Sequence, residues 1–107
     1  MLAWFDASTD KLTLWSAGQT PHFIKRMLVE MLDLDDERVR VITPNVGGGF
    51  GPKGIIYPEE AVLGALSRML RRPIKWTEDR REHFIATTQE RDQVWSVTFG
   101  PDGRTIA

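Results

Sequence analysis

Apolar and polar residues alternate with a period of two in several short runs, and recur at helical spacing in two longer ones. Residues 2–6 (LAWFD) and 11–17 (KLTLWSA) flank the turn-rich ASTD, and Leu12 and Leu14 alternate with Thr13 and Trp15. Successive side chains of a strand point to opposite faces, so these runs are predicted to pair as a hairpin. In residues 20–36, Phe23, Ile24, Met27, Leu28, Met31 and Leu32 share one helical face, away from Lys25, Arg26 and Glu30. Thr20 is the candidate N-cap, Pro21 suits the first helical position, and the two Met residues read as core filler. Residues 38–44 (RVRVITP) alternate again.

A second helix opens at Pro58, carries Glu59 and Glu60 in its first turn and Arg68, Arg71 and Arg72 near its end, and stops at Pro73. Its predicted buried stripe is Ala61, Val62, Ala65, Leu66, Met69 and Leu70, and Gly64 predicts a close contact with a neighbouring element. IKWTEDR (74–80) and DQVWSVTFG (92–100) read as strands, and GPDG as a turn. The predicted order is β-β-α-β-α-β-β. That is an α+β fold with a mixed sheet, two helices packed on one face, and parallel pairing within its β-α-β units.

The chain has 107 residues, enough for one compact domain with a single core. A net charge of -1 gives no reason to expect nucleic acid as a partner. No apolar run approaches the ~18 residues of a membrane span. With no Cys there is no disulfide frame, thiolate metal site or cysteine nucleophile. That composition fits a reducing compartment, and the cytoplasm is the expected location. Met1 leads at once into a strand-like run and the chain stops just after a turn signal, so a piece of a larger protein is expected.

Between the third strand and the second helix lies NVGGGFGPKG, residues 45–54. A phosphate loop of the G-x-x-x-x-G-K-[ST] kind requires a Ser or Thr after its Lys, but Gly54 follows Lys53. Gly49 to Gly54 does spell G-x-G-x-x-G after a strand. A dinucleotide fingerprint, however, starts its helix inside the motif, and here IIYP separates the loop from Pro58. A third reading is a glycine loop whose bare backbone lies against a bulky cofactor, with Phe50 presented on its rim.

VGGGFGPK resembles the glycine loop in the large subunit of the molybdenum hydroxylases: the xanthine dehydrogenases, aldehyde oxidases and aerobic carbon monoxide dehydrogenases. KLTLWSAGQTPH before it, and RPIKWTEDRREHF and PDGR after it, resemble family segments in the same order and at similar separation. The resemblance implies a part of the molybdopterin-binding domain, residues 1–107 forming one subdomain of it. It implies that Gln19 approaches an oxo ligand of molybdenum, where a neutral amide donates a hydrogen bond without adding charge. Phe50 and Gly51 then line the molybdopterin and active-site wall, with Gly47, Gly48 and Gly49 shaping the loop. The implied partners are the remainder of the large subunit and the Fe–S and FAD modules; the family's catalytic Glu lies outside this chain. Xanthine dehydrogenases carry a Glu after the loop Lys, where this chain has Gly54, and GPKGIIYP is more similar to the carbon-monoxide-dehydrogenase-like branch. The parent would hydroxylate a carbon centre with water-derived oxygen; this piece alone is expected to be inactive.

Beside that stands a second reading, a small non-enzymatic α+β module that dimerises through an exposed apolar face. His22 and His83 lack metal-ligand spacing and are assigned neither a metal nor a catalytic role. EDRRE reads as a solvated, internally paired run, and Arg91-Asp92 likewise.

Overall fold

The structure, a computed structural model, describes residues 1–87 and residue 101. Strands β1 (Leu2–Asp6) and β2 (Lys11–Trp15) form the expected hairpin. Helix α1 (Pro21–Leu32), strand β3 (Val39–Ile42), helix α2 (Pro58–Leu70), a short strand β4 (Ile74–Lys75) and helix α3 (Arg80–Ala86) follow. The sheet order is β3-β2-β1-β4. β1 runs antiparallel to β2 and β4, whereas β2 and β3 are parallel, with Leu12 opposite Val39 and Trp15 opposite Ile42. The mixed α+β sheet is therefore as predicted.

Period-two burial holds along the hairpin. Ala3, Phe5, Leu12 and Leu14 are buried beneath the helices, while Trp4, on the alternate face, is exposed. Asp6 organises the turn between them: its carboxylate accepts from the Ser8 N–H and from the hydroxyls of Ser8 and Thr9. Those bonds, led by the Ser8 hydroxyl, hold the Asp6 carboxyl below its ordinary range. Arg38, just before β3, pairs with Asp10 at the end of this turn and with Asp35.

α1 contributes Ile24 and Leu28, both fully buried, to the core. Its inward stripe is narrower than predicted, for Phe23 and Met31 lie exposed. Thr20 occupies the N-cap position, but its side chain does not cap the helix; the hydroxyl instead donates to the Gly54 carbonyl at 3.2 Å.

α2 departs most from expectation. Its buried residues are Glu60, Leu63, Gly64 and Ser67, whereas Val62, Leu66, Met69 and Leu70 of the predicted stripe are exposed. Two features account for the orientation. Gly64 lets the helix close on the core: a Cβ there would stand 3.1 Å from Leu32 Cδ1 and 3.2 Å from Leu12 Cδ2. Ser67 then reaches the sheet, accepting from the Phe5 N–H at 2.8 Å and donating toward the Arg72 and Ala3 carbonyls at 2.8 and 3.3 Å. β4 pairs only with Leu2 and Ala3, so the Phe5 N–H lies beyond that ladder as a buried donor, which the serine oxygen satisfies.

The strand expected over 74–80 is cut to Ile74–Lys75, and Asp79 caps α3 instead of continuing it. Asp79 Oδ1 accepts from the Glu82 N–H and Glu82 Oε2 from the Asp79 N–H, both at 2.8 Å, a complete capping box. The strand expected at 92–100, most of the GPDG turn and the Arg91-Asp92 pair lie outside the described residues.

Removing the Ser67 hydroxyl leaves the Phe5 N–H buried without an acceptor. Ser67→Ala is expected to destabilise the chain by about 1–3 kcal/mol in urea unfolding followed by tryptophan fluorescence.

Candidate functional site

Parallel pairing of β2 and β3 brings their C-terminal ends side by side, so the connections leaving them occupy one edge of the molecule. In sheets with parallel strands, this end is where crossing loops leave room for ligands. Here residues 16–20 meet residues 43–57, and the two segments are bonded together. The Ser16 N–H donates to the Ile42 carbonyl at 3.1 Å and the Gln19 N–H to the Lys53 carbonyl at 2.8 Å. Thr43 Oγ1 donates to the Gly18 carbonyl at 3.1 Å.

The glycine loop has its own fastenings. Lys53 Nζ donates to the Val46 carbonyl at 2.6 Å, so its ammonium anchors the base of the loop. The Tyr57 hydroxyl donates to the Pro52 carbonyl at 2.6 Å. Burial, with the nearby carboxylates Glu78, Glu60 and Glu59, raises the Tyr57 pKa and keeps that hydroxyl a donor. Gly47, Gly48 and Gly51 have positive φ of 67°, 101° and 92°. Phe50 takes the left-handed region too, at φ 50°, which is unfavourable for a residue with a Cβ. Its ring is 93% exposed and folds back over Gly48, where an added Cβ would stand 2.6 Å from it.

Gln19 joins the two segments. A Cβ at Gly49 would collide with its Oε1, and one at Gly54 would stand 3.2 Å from its Nε2. The carboxamide thus lies against bare loop backbone, next in sequence to the outward ring of Phe50. At Gly47 and Gly51 an added Cβ would meet nothing, so the backbone there faces open space. The predicted residues Gln19, Gly47, Gly48, Gly49, Phe50 and Gly51 are therefore neighbours. They do not line the cavity of about 180 Å³ formed among Ser16, Gly18, Lys53, Tyr57, Glu60 and Trp76. His83 stands at this cavity, its Nδ1 2.9 Å from Glu78 Oε2, and His22 is exposed in the first turn of α1.

Glu60 was legible from the sequence only as a first-turn carboxylate; the structure buries it to 2% exposure. Its Oε1 accepts from the Ser16 hydroxyl and its Oε2 from the Tyr57 N–H at 3.0 Å. Burial is the chief influence on its pKa and raises it above the ordinary 4.5, with the Glu59 charge adding to the rise; the bonds from Ser16 and Tyr57 oppose it without cancelling it.

The family model for the molybdopterin cofactor-binding domain matches residues 1–106. The chain belongs to this family. It is 39% identical, over 98 residues, to the nicotine 6-hydroxylase large subunit of Paenarthrobacter nicotinovorans, an alignment covering 92% of this chain and 12% of the relative. Against the carbon monoxide dehydrogenase large chain of Hydrogenophaga pseudoflava the identity is 34% over 107 residues, covering 98% of this chain and 13% of the relative. The crystal structure of quinoline 2-oxidoreductase from Pseudomonas putida 86 superposes with a TM-score of 0.75 at 41% identity, over 78% of this chain and 11% of that one. This molybdopterin-binding domain chain thus spans about an eighth of the curated relatives' length.

Two outcomes follow for the family member described. Gly49→Ala displaces the Gln19 carboxamide, the end of a flexible side chain, so the amide resonance of Gln19 shifts while the melting temperature changes little. A carboxyl with a raised folded-state pKa contributes stability that is full below 4.5 and is lost as pH rises through the raised value. Wild type therefore loses stability relative to Glu60→Gln as pH rises above 4.5 in paired urea titrations.

Proposed function

We propose that this chain forms part of one wall of the molybdopterin site in the large subunit of a molybdenum hydroxylase, on the carbon-monoxide-dehydrogenase-like branch. The observation that carries the reading is the Gln19 carboxamide resting on Gly49 beside the exposed ring of Phe50. The residues fit such a group. Open backbone at Gly47 and Gly51 leaves room for close approach, and N–H groups in a glycine turn favour anionic oxygens. Phe50 offers an apolar face, and Gln19 offers a donor that brings no charge. When bound, the cofactor supplies the metal at which a carbon centre is hydroxylated and two electrons are taken up. This chain orients; the base is expected from elsewhere in the subunit.

The proposal includes the remainder of the large subunit as the partner of the exposed α2 stripe, Val62, Leu66, Met69 and Leu70. It also includes Fe–S and FAD modules that receive the electrons, and a cytoplasmic location. No helix among the described residues is long and apolar enough to cross a membrane. Association of two copies through the same stripe is the competing reading, and the mass of the free chain by sedimentation separates the two.

In the intact subunit, Gln19→Ala and Gln19→Glu are expected to lower hydroxylase turnover about 10–100-fold, the usual cost of losing a group that orients a metal centre. Turnover is measured on nicotine, quinoline and carbon monoxide, with molybdenum content by mass spectrometry alongside. Full turnover in both variants, at normal molybdenum content, overturns the reading.

A further inference from the structure

We propose that Glu60, through Ser16, is a positioning residue for Gln19. The inference rests on the reading of Gln19 given above, but its geometry stands alone. A glutamate at the third position of a helix ordinarily caps the N-terminus with one oxygen and stays in water. Glu60 does cap, through Oε2 and the Tyr57 N–H, yet it is 2% exposed and its other oxygen reaches away from the helix. Oε1 accepts from the hydroxyl of Ser16, a residue itself only 3% exposed at the exit of β2. A buried carboxyl is a costly way to fill a helix face that a small apolar residue would fill more favourably. Its second bond therefore calls for an explanation beyond capping.

That explanation lies in the direction of the Ser16 hydroxyl. A serine O–H rotates freely unless an acceptor fixes it. With its hydrogen committed to Glu60, Ser16 Oγ presents a lone pair to the Gly18 N–H, which donates to it at 3.1 Å. The Gly18 carbonyl is held from the other side by Thr43 Oγ1, and the next N–H, that of Gln19, by the Lys53 carbonyl. Gly18 also admits no side chain, because a Cβ would collide with Ile24 Cδ1. The peptide from which Gln19 projects is thus held at both its C=O and its N–H, and the N–H of the peptide before it is held by a contact that traces back to the first turn of α2. The carboxamide reaches Gly49 from that fixed root.

Glu60→Gln tests the relay because it keeps size and reverses polarity. The Tyr57 N–H takes the amide oxygen, so the amide N–H₂ faces Ser16 and the hydroxyl hydrogen must turn elsewhere. Ser16→Ala removes the middle of the relay and leaves the Tyr57 cap intact; if Glu60→Gln fails to fold, this variant decides alone. In the free chain, hydrogen exchange at Gly18 and Gln19 is expected to quicken severalfold in either variant, while amides of Leu12 and Leu14 change less. In the intact subunit kcat is expected to fall about tenfold with KM little moved, as for loss of an orienting group. Adding either change to Gln19→Ala is expected to cost nothing further. Unchanged exchange at Gly18 and Gln19, or losses that multiply with Gln19→Ala, overturns the proposal. If Gln19→Ala alone leaves turnover intact, the wall reading fails, and exchange still decides whether Glu60 holds Gln19 in place.

Discussion

The parallel ladder between β2 and β3 is the constraint on which the rest depends. It aligns Trp15 with Ile42, and so delivers residues 16–20 and the glycine loop to the same edge. A one-residue slip would shift the pairing by about 3.3 Å and turn the strand's apolar set to the wrong face. Leu12, Leu14 and Val39 are all buried in the observed register, so the core itself enforces it. Arg38 with Asp10 adds an ion pair at the start of the ladder, too exposed to decide the matter alone. Placement of the carboxamide near the loop is thus a consequence of hydrophobic burial some distance away.

α2 shows what fold geometry requires of a helix that serves both core and loop. Its inward face carries one Leu, one Gly, one Ser and one Glu, and each has a local task. Leu63 packs in the core, Gly64 permits close approach, Ser67 completes the β1 ladder, and Glu60 grips the exit of β2. The apolar residues on the opposite face make few demands within the described chain. In the proposed reading, the remainder of a large subunit covers that face.

Much of the architecture was legible in sequence. Period-two runs gave the hairpin and β3, and the Thr20-Pro21 start located α1, because burial by alternation is a local signal. The order of segments also marked the family. α2's orientation was not legible, since a rule that places apolar residues inward cannot see that Ser67 has partners on β1, 62 and 64 residues away in sequence. Glu60 was hidden for the same reason: Ser16 is 44 residues distant. α3 is different, because Asp79 and Glu82 stand at capping-box spacing and the signal was present. Asp79 falls both at the end of the predicted strand 74–80 and within the charged run EDRRE, and either reading hides its capping role. The family resemblance implies that Gln19 stands near the loop; its seat on Gly49 depends on the folded geometry and has no local sequence signal.

Phe50 combines a left-handed backbone with a ring that is 93% in solvent. Glycine at that position would relieve the backbone and remove exposed apolar surface, so any procedure that ranks substitutions by folding free energy will recommend it. Thermostabilised versions of such a chain, selected without a functional screen, would drift toward an all-glycine tip and lose the ring first.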